Sequence, residues 1–239
     1  MANTMSTTEN TALIPVPQLE KDGYDWYARH EEILAIKHQV DPEVIWIGDS
    51  ITHEWGGVPR TGLRTTGEET MSTMLGEYRM LNLGFGWDRI QNVLWRLDHG
   101  EIEGLRAKVV VIHIGSNNTG IGNARVNTSE EIAEGVWAVC RRVRRQLPDA
   151  RILLMAIFPR CETVDDPKRV CLREANRLLE AQVSVDPAIQ WIDIGPQFLD
   201  ENGRMLPGMT RDFCHPTEAG YRIWAAAVRP YIQAACRRD

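Results

Sequence analysis

The sequence has no excess of basic residues. Lys and Arg number 27 against 33 Asp and Glu, a net charge of −6 at pH 7. Sequence-independent nucleic-acid binding needs a basic surface, and adhesion to anionic membranes needs cationic clusters, so neither is expected. No apolar run approaches the roughly 20 residues that span a bilayer. The longest, VVVIHI from Val109 and ILLMAIF from Ile152, are strand-sized. The opening stretch MANTMSTTENTALIPVPQLE has no basic n-region and no continuous apolar core. A secretory signal is therefore not expected, and a cytoplasmic location is. The cysteines are Cys140, Cys161, Cys171, Cys214 and Cys236, an odd count with no C-x-x-C pair. That excludes a full disulfide framework and a cysteine-cluster zinc site, and it fits a reducing compartment.

What is present is an ordinary globular composition, 43% hydrophobic and 25% charged over 239 residues. Residues 1 to about 18 are mostly polar with Pro15 and Pro17, which predicts a loose arm. A helix is expected from Tyr24 to His38. The chain then alternates. Strands are expected at Val44 to Ile47, Tyr78 to Leu83, Val109 to Ile114, 152–158 and Ile189 to Ile194. Helices are expected at Arg89 to Leu97, from Thr128 to Pro148, and over 168–184. The Thr128/Glu131 pair forms a capping box at the start of the second of these. Pro216 is placed at the first position of a last helix running to about Cys236. Five strands separated by helices predict a parallel sheet covered on both faces, in one α/β domain. In such sheets ligands bind beyond the carboxyl ends of the strands.

That rule picks out Gly48-Asp49-Ser50, Gly84-Phe85-Gly86-Trp87-Asp88, Gly115-Ser116-Asn117-Asn118, and the turn holding Asp212 and His215. A serine hydroxyl needs a base to become a nucleophile. The best base is His215, with Asp212 three residues earlier. In a helical turn that spacing puts two side chains on one side, so Asp212 can hold one ring nitrogen while the other faces Ser50. Acyl transfer also needs donors for the developing oxyanion. The Ser50 N–H, the Asn117 amide and an N–H of the glycine-rich turn after strand two are available.

Ser50 in GDS, the Gly84–Asp88 turn, Asn117 in GSNN and Asp212/His215 in DFCH resemble the four blocks of the SGNH (GDSL) hydrolase superfamily. The resemblance covers about residues 40–236. NLGFGWDRIQNVLWRL (Asn82 to Leu97), KVVVIHIGSNN (Lys108 to Asn118) and HPTEAGY are most similar to the catalytic subunits of intracellular platelet-activating-factor acetylhydrolase and their bacterial relatives. The resemblance implies a flavodoxin-like three-layer α/β/α sandwich. The N-terminal arm and helix, 1–40, then precede a hydrolase domain over 41–239. It implies hydrolysis of a small-molecule ester with no cofactor and no metal. Ser50 is then the nucleophile, His215 the base and acid, and Asp212 its orienter. The oxyanion hole falls to the N–H groups of Ser50 and Trp87 and to the Asn117 side chain. Where the family usually has glycine, Trp87 stands here; a positive φ there would strain tryptophan by roughly 1–3 kcal/mol. Its ring is expected to wall the acyl or leaving-group pocket. Relatives of the acetylhydrolase type often dimerise, so the resemblance suggests a homodimer.

Other residues have plainer readings. Asp49 is expected to bond backbone N–H groups at its turn, Asn82 and Asp88 to fix the shape of theirs, and His113 to be a hydrogen-bonded core histidine. His53 is expected on the helix surface or in the cleft. Arg141, Arg142, Arg144 and Arg145 read as a solvated helix face. The expected activity is hydrolysis of a short, acetyl-sized carboxylic ester. Transfer to an alcohol by the same residues and a non-catalytic ester or sugar binder are its alternatives. A rival of another class is a phosphatase with Mg²⁺ held by Asp49 and Asp193.

Overall fold

The computed structural model describes residues 9–120 and 125–237. Its centre is a five-stranded parallel sheet in the order β2-β1-β3-β4-β5. The strands are β1 (Val44–Gly48), β2 (Met80–Gly84), β3 (Val109–His113), β4 (Arg151–Met155) and β5 (Ile189–Ile192). Every residue of β1 and β3 is buried, as the unbroken Val/Ile-rich runs require in a sheet covered on both sides.

The two-residue period of the strands sorts their side chains into two cores. Ile45, Ile47, Val110, Ile112 and Leu154 face one layer. It is built from α1 (Trp26–Val40), α4 (Ile90–Asp98), α5 (Ser129–Gln146) and α6 (Pro167–Val183). Val44, Trp46, Val111 and Leu153 face the other. That layer holds α7 (Glu218–Cys236), the short α2 (Ser50–His53), and α3 (Glu68–Thr70) with the wider turn Met71–Leu75 that continues it. Trp46 packs on Trp55 and Trp224 at centroid distances of 5.0 and 5.5 Å, filling this thinner side. The α/β three-layer expectation is met.

Local signals set most boundaries. Thr128 and Glu131 cap α5 reciprocally, and the helix ends at Gln146 just before Pro148. Two expectations need correction. Residues 1–8 of the predicted arm lie outside the described residues, but 9–18 are docked, not loose. Ala12 is fully buried against Gly135 of α5, Asn10 caps its own turn and donates to the Glu131 carbonyl, and Asn92 donates to the carbonyls of Val16 and Pro17. Pro216 is not the first helical residue. It pairs with Thr210 in an antiparallel bridge, and Thr217, whose N–H donates to the Met209 carbonyl, is the N-cap. The segment 209–217 must run alongside itself to bring His215 back to the sheet, so the helix starts later.

Register decides where the site lies. Gly48 is level with Gly84 on one side and with His113 on the other, so β2, β1 and β3 end at the same height. The chain then enters α2 so closely that a Cβ on Gly84 would stand 2.2 Å from the His53 backbone nitrogen. A Cβ on Gly48 would stand 2.3 Å from the His113 carbonyl oxygen. Among the described residues no helix is long and apolar enough to cross a membrane.

Because backbone cannot yield as a side chain can, Gly84→Ala should destabilise the protein by about 1–3 kcal/mol or more. Urea unfolding measures this; an unchanged midpoint would show that the close approach is not required.

Candidate active site

Ser50 is the first residue of α2, directly after β1. Asp49 is the N-cap, its Oδ1 accepting the Ile51 N–H at 3.0 Å. The first N–H groups of a helix have no intrahelical acceptor, so the Ser50 N–H is left pointing outward from the turn. Ser50 Oγ lies 2.8 Å from His215 Nε2, a contact spanning 165 positions of sequence. His215 Nδ1 lies 2.7 Å from Asp212 Oδ2.

The Asp212–His215 pair does not sit in a helical turn, as its spacing suggested. Phe213 adopts a left-handed φ of 58°. Asp212 Oδ1 accepts the backbone N–H groups of Cys214 and His215, at 3.1 and 2.8 Å. The carboxylate thus shapes the loop with one oxygen and holds the imidazole with the other. Burial works to raise the Asp212 pKa, but hydrogen bonds from the His215 backbone and ring outweigh it and hold it below the ordinary carboxylate range.

The β2 turn brings Trp87 to the same place. Asp88 N–H donates to the Phe85 carbonyl at 3.2 Å, closing a four-residue turn with Trp87 third. A positive φ is demanded at that position, and Trp87 has φ 68°. Its N–H has no acceptor among the described residues. Trp87 is 39% exposed and lines the cleft with Ser50, Asn117 and His215. Asn117 follows β3. Its Nδ2 donates one hydrogen to the Asp88 carbonyl at 2.9 Å, which fixes the amide plane and leaves the second hydrogen available.

A buried polar framework stands behind this turn. Asp88 accepts from Trp26 Nε1 at 2.8 Å and from Arg96 Nε at 2.9 Å. Arg96 also contacts Glu101, which His30 reaches at 2.8 Å, and its guanidinium lies 3.9 Å from the Phe85 ring centroid. Asn82 Nδ2 donates to the Thr52 and Gly56 carbonyls, tying β2 to α2. His53 is neither on the helix surface nor in the cleft. It is buried, and its Nδ1 accepts the Gly86 N–H at 3.2 Å. Burial lowers its pKa to about 2, so it is neutral and able to accept. His113 is a core residue whose Nε2 accepts the Phe158 N–H at 3.2 Å. The basic run of α5 is not simply solvated: Arg142 pairs with Asp98 at 2.9 Å, and Arg144 donates to the carbonyls of Pro148, Ala150 and Ala188.

The cleft has a volume of about 560 Å³. Four cationic side chains that the motif search missed also line it: Arg64, Arg160, Lys168 and Arg211. Arg160 lies beyond the end of β4, where the strand-end rule would have found it. Cys214 is beside His215, but burial pushes its thiol up to about 11, which leaves it protonated and a poor nucleophile. Asp49 and Asp193 are not brought together. They follow β1 and β5, three strand spacings apart, about 14 Å. One ion cannot bridge them, and the described residues contain no group of three or more His, Cys, Asp or Glu able to hold a metal.

The family model for the GDSL-like lipase/acylhydrolase family matches residues 46–223. The chain belongs to that family. Membership makes this acylhydrolase a carboxylic ester hydrolase. Platelet-activating factor acetylhydrolase IB subunit alpha1 from Homo sapiens is 31% identical over 237 residues, covering 98% of this chain and 95% of that one. The alpha2 subunit from Gallus gallus is 29% identical and covers 89% and 86%. Among solved structures, a GDSL-like lipase from Bacteroides thetaiotaomicron superposes with a TM-score of 0.65 at 18% identity, covering 86% and 99%. An acetylxylan esterase from Geobacillus stearothermophilus does so with a TM-score of 0.62 at 19% identity, covering 80% and 94%. At these identities the two structures show the shared fold.

Asp49 gives a test of site electrostatics. It is buried, its Oδ2 has no hydrogen-bond partner among the described residues, and burial pushes its pKa up from 3.8 to about 6. A raised carboxyl pKa favours the neutral form in the folded state. The stability this contributes is fully present below the unfolded value and is lost as pH rises through the folded one. Between about pH 4 and 7 the acylhydrolase should therefore lose about 2–3 kcal/mol relative to Asp49→Asn, which keeps the acceptor for the Ile51 N–H. Unfolding curves across that range check it; parallel profiles would contradict it.

Proposed function

We propose that this acylhydrolase cleaves short, acetyl-sized carboxylic esters through an acyl-enzyme on Ser50. The observation that carries the proposal is the unbroken hydrogen-bond chain from Ser50 Oγ through His215 to Asp212, open to the cleft at its serine end.

In this reading Ser50 Oγ attacks the ester carbonyl carbon as its proton passes to His215 Nε2. Asp212 holds the Nδ1 hydrogen, fixes the tautomer and stabilises the imidazolium. The carbonyl oxygen becomes an oxyanion facing the N–H groups of Ser50 and Trp87 and the free hydrogen of Asn117 Nδ2. Collapse expels the alcohol, which takes the proton from His215. Water then attacks the acyl group as His215 takes one of its protons, and collapse releases the acid while His215 returns that proton to Ser50 Oγ. Because these donors are fixed before the reaction, they stabilise developing charge without reorganising.

The size of the acyl group is argued from Trp87. A glycine would leave open space at that turn, whereas Trp87 lines the cleft together with Ser50 and Asn117, and in this reading its indole shortens the acyl pocket. The names of the human relative, an acetylhydrolase, and of the Geobacillus protein, an acetylxylan esterase, agree with a short acyl group.

Ser50→Ala should abolish nearly all turnover of an activated acetyl ester while leaving the protein folded; retained turnover that EDTA removes would point to metal-assisted chemistry instead. Asn117→Ala should raise the barrier by about 2.7–4 kcal/mol, a loss of about 10²–10³ in kcat. Trp87→Gly should stabilise the fold by relieving the left-handed φ, and should shift kcat/KM toward butyryl and hexanoyl esters. An unchanged chain-length profile in Trp87→Gly would remove the indole from the pocket wall.

A further inference from the structure

The cleft's charge runs against that of the chain. The protein carries a net −6, yet among the described residues Arg64, Arg160, Lys168 and Arg211 line the cleft against two carboxylates, Glu54 and Asp212. Two of the four cations are already neutralised. Arg64 pairs with Asp22 at 2.6 Å, and Arg211 meets both oxygens of Glu54, at 2.7 and 2.8 Å. The other two are not. Arg160 Nη1 donates to the carbonyl and hydroxyl oxygens of Ser116, at 3.1 and 3.3 Å, and its buried Nε–H has no acceptor among the described residues. Neither the Arg160 guanidinium nor the Lys168 ammonium has a carboxylate within 4.0 Å among the described residues; Asp166 accepts only the Lys168 backbone N–H, at 2.9 Å. Buried Asp49 acts on the Arg160 charge, and Asp166 on the Lys168 charge, only through longer-range fields.

A half-buried guanidinium satisfied only by neutral oxygens is a charge with its counterion missing. Ser116 directly precedes Asn117, so its bond to Arg160 anchors the cation next to the proposed oxyanion donor. We propose that the substrate is an anionic ester, whose carboxylate or phosphate is received by Arg160 and Lys168. The inference rests on the short-acyl esterase reading: an acetyl group has no room for a charge, so the anion belongs to the alcohol half of the ester. A cationic cleft in an acidic protein also draws such a substrate in while the remaining surface repels it.

The test compares phenyl acetate, 4-acetoxybenzoate and 4-acetoxyphenyl phosphate, each rate divided by its hydroxide-catalysed rate. The native protein should favour at least one anionic ester over phenyl acetate by about tenfold or more in kcat/KM, and this preference should fade as ionic strength rises. The two anionic arms distinguish carboxylate from phosphate. Lys168→Gln and Arg160→Gln should each lower the anionic-to-neutral ratio, mainly through KM. If Arg160→Gln fails to fold, the half-exposed Lys168→Gln and the salt series decide. A ratio near one in the native protein, or one that both variants leave unchanged, overturns the proposal while phenyl acetate turnover keeps the esterase reading standing. If the native protein does not hydrolyse phenyl acetate or either anionic ester, the esterase reading fails and the proposal with it.

Discussion

The close approach of α2 to the ends of β1, β2 and β3 is the constraint from which the site follows. Three parallel strands end level, and the chain turns at once into a helix with only glycine at two of those ends. Ser50 is thereby held at a helix N-terminus, with its N–H unspent by the helix. The same closeness lets Asn82 bond the carbonyls of α2 and lets His53 receive the Gly86 N–H. The turn that carries Ser50 and the turn that carries Trp87 are therefore one rigid body.

The Trp87 turn rests on buried charge. Asp88, Arg96, Glu101 and His30 form a continuous polar network beneath it, with Trp26 and the Phe85 ring closing its sides. Burial raises the Asp88 pKa, and Arg96 and the Trp26 N–H oppose that rise. Removing one member of such a network leaves the others uncompensated, so the network specifies one geometry for the turn more than it adds net stability. Trp87 tolerates its left-handed φ because the residues on either side are held this firmly.

Electrostatics divide the site by function. Asp212 is spent on His215, and Glu54 on Arg211, which also bonds the Thr66 hydroxyl and so ties the histidine loop to the segment after α2. Among the described residues, the side-chain charges of Arg160 and Lys168 line the cleft without an ion-pair partner. The overall acidity of the chain does not by itself select a substrate. The placement of these two cations argues for a charged one.

The sequence by itself determined the layers and the parts of the site. Unbroken Val/Ile runs require burial on both faces, which requires a parallel sheet, and the strand-end rule then points to Ser50, Trp87 and Asn117. The Asp212/His215 pair was legible because its spacing is local. Tertiary structure decided what depends on neighbours distant in the chain. The docking of residues 9–18 depends on a gap over Gly135, and the late start of α7 on a bridge between Thr210 and Pro216. The burial of His53 depends on the approach of β2, and the unpaired state of Arg160 on which carboxylates the fold leaves out of reach. Periodicity reports which face of an element is apolar. It does not report which charges meet, because a charge's partner is fixed by packing across the whole sheet.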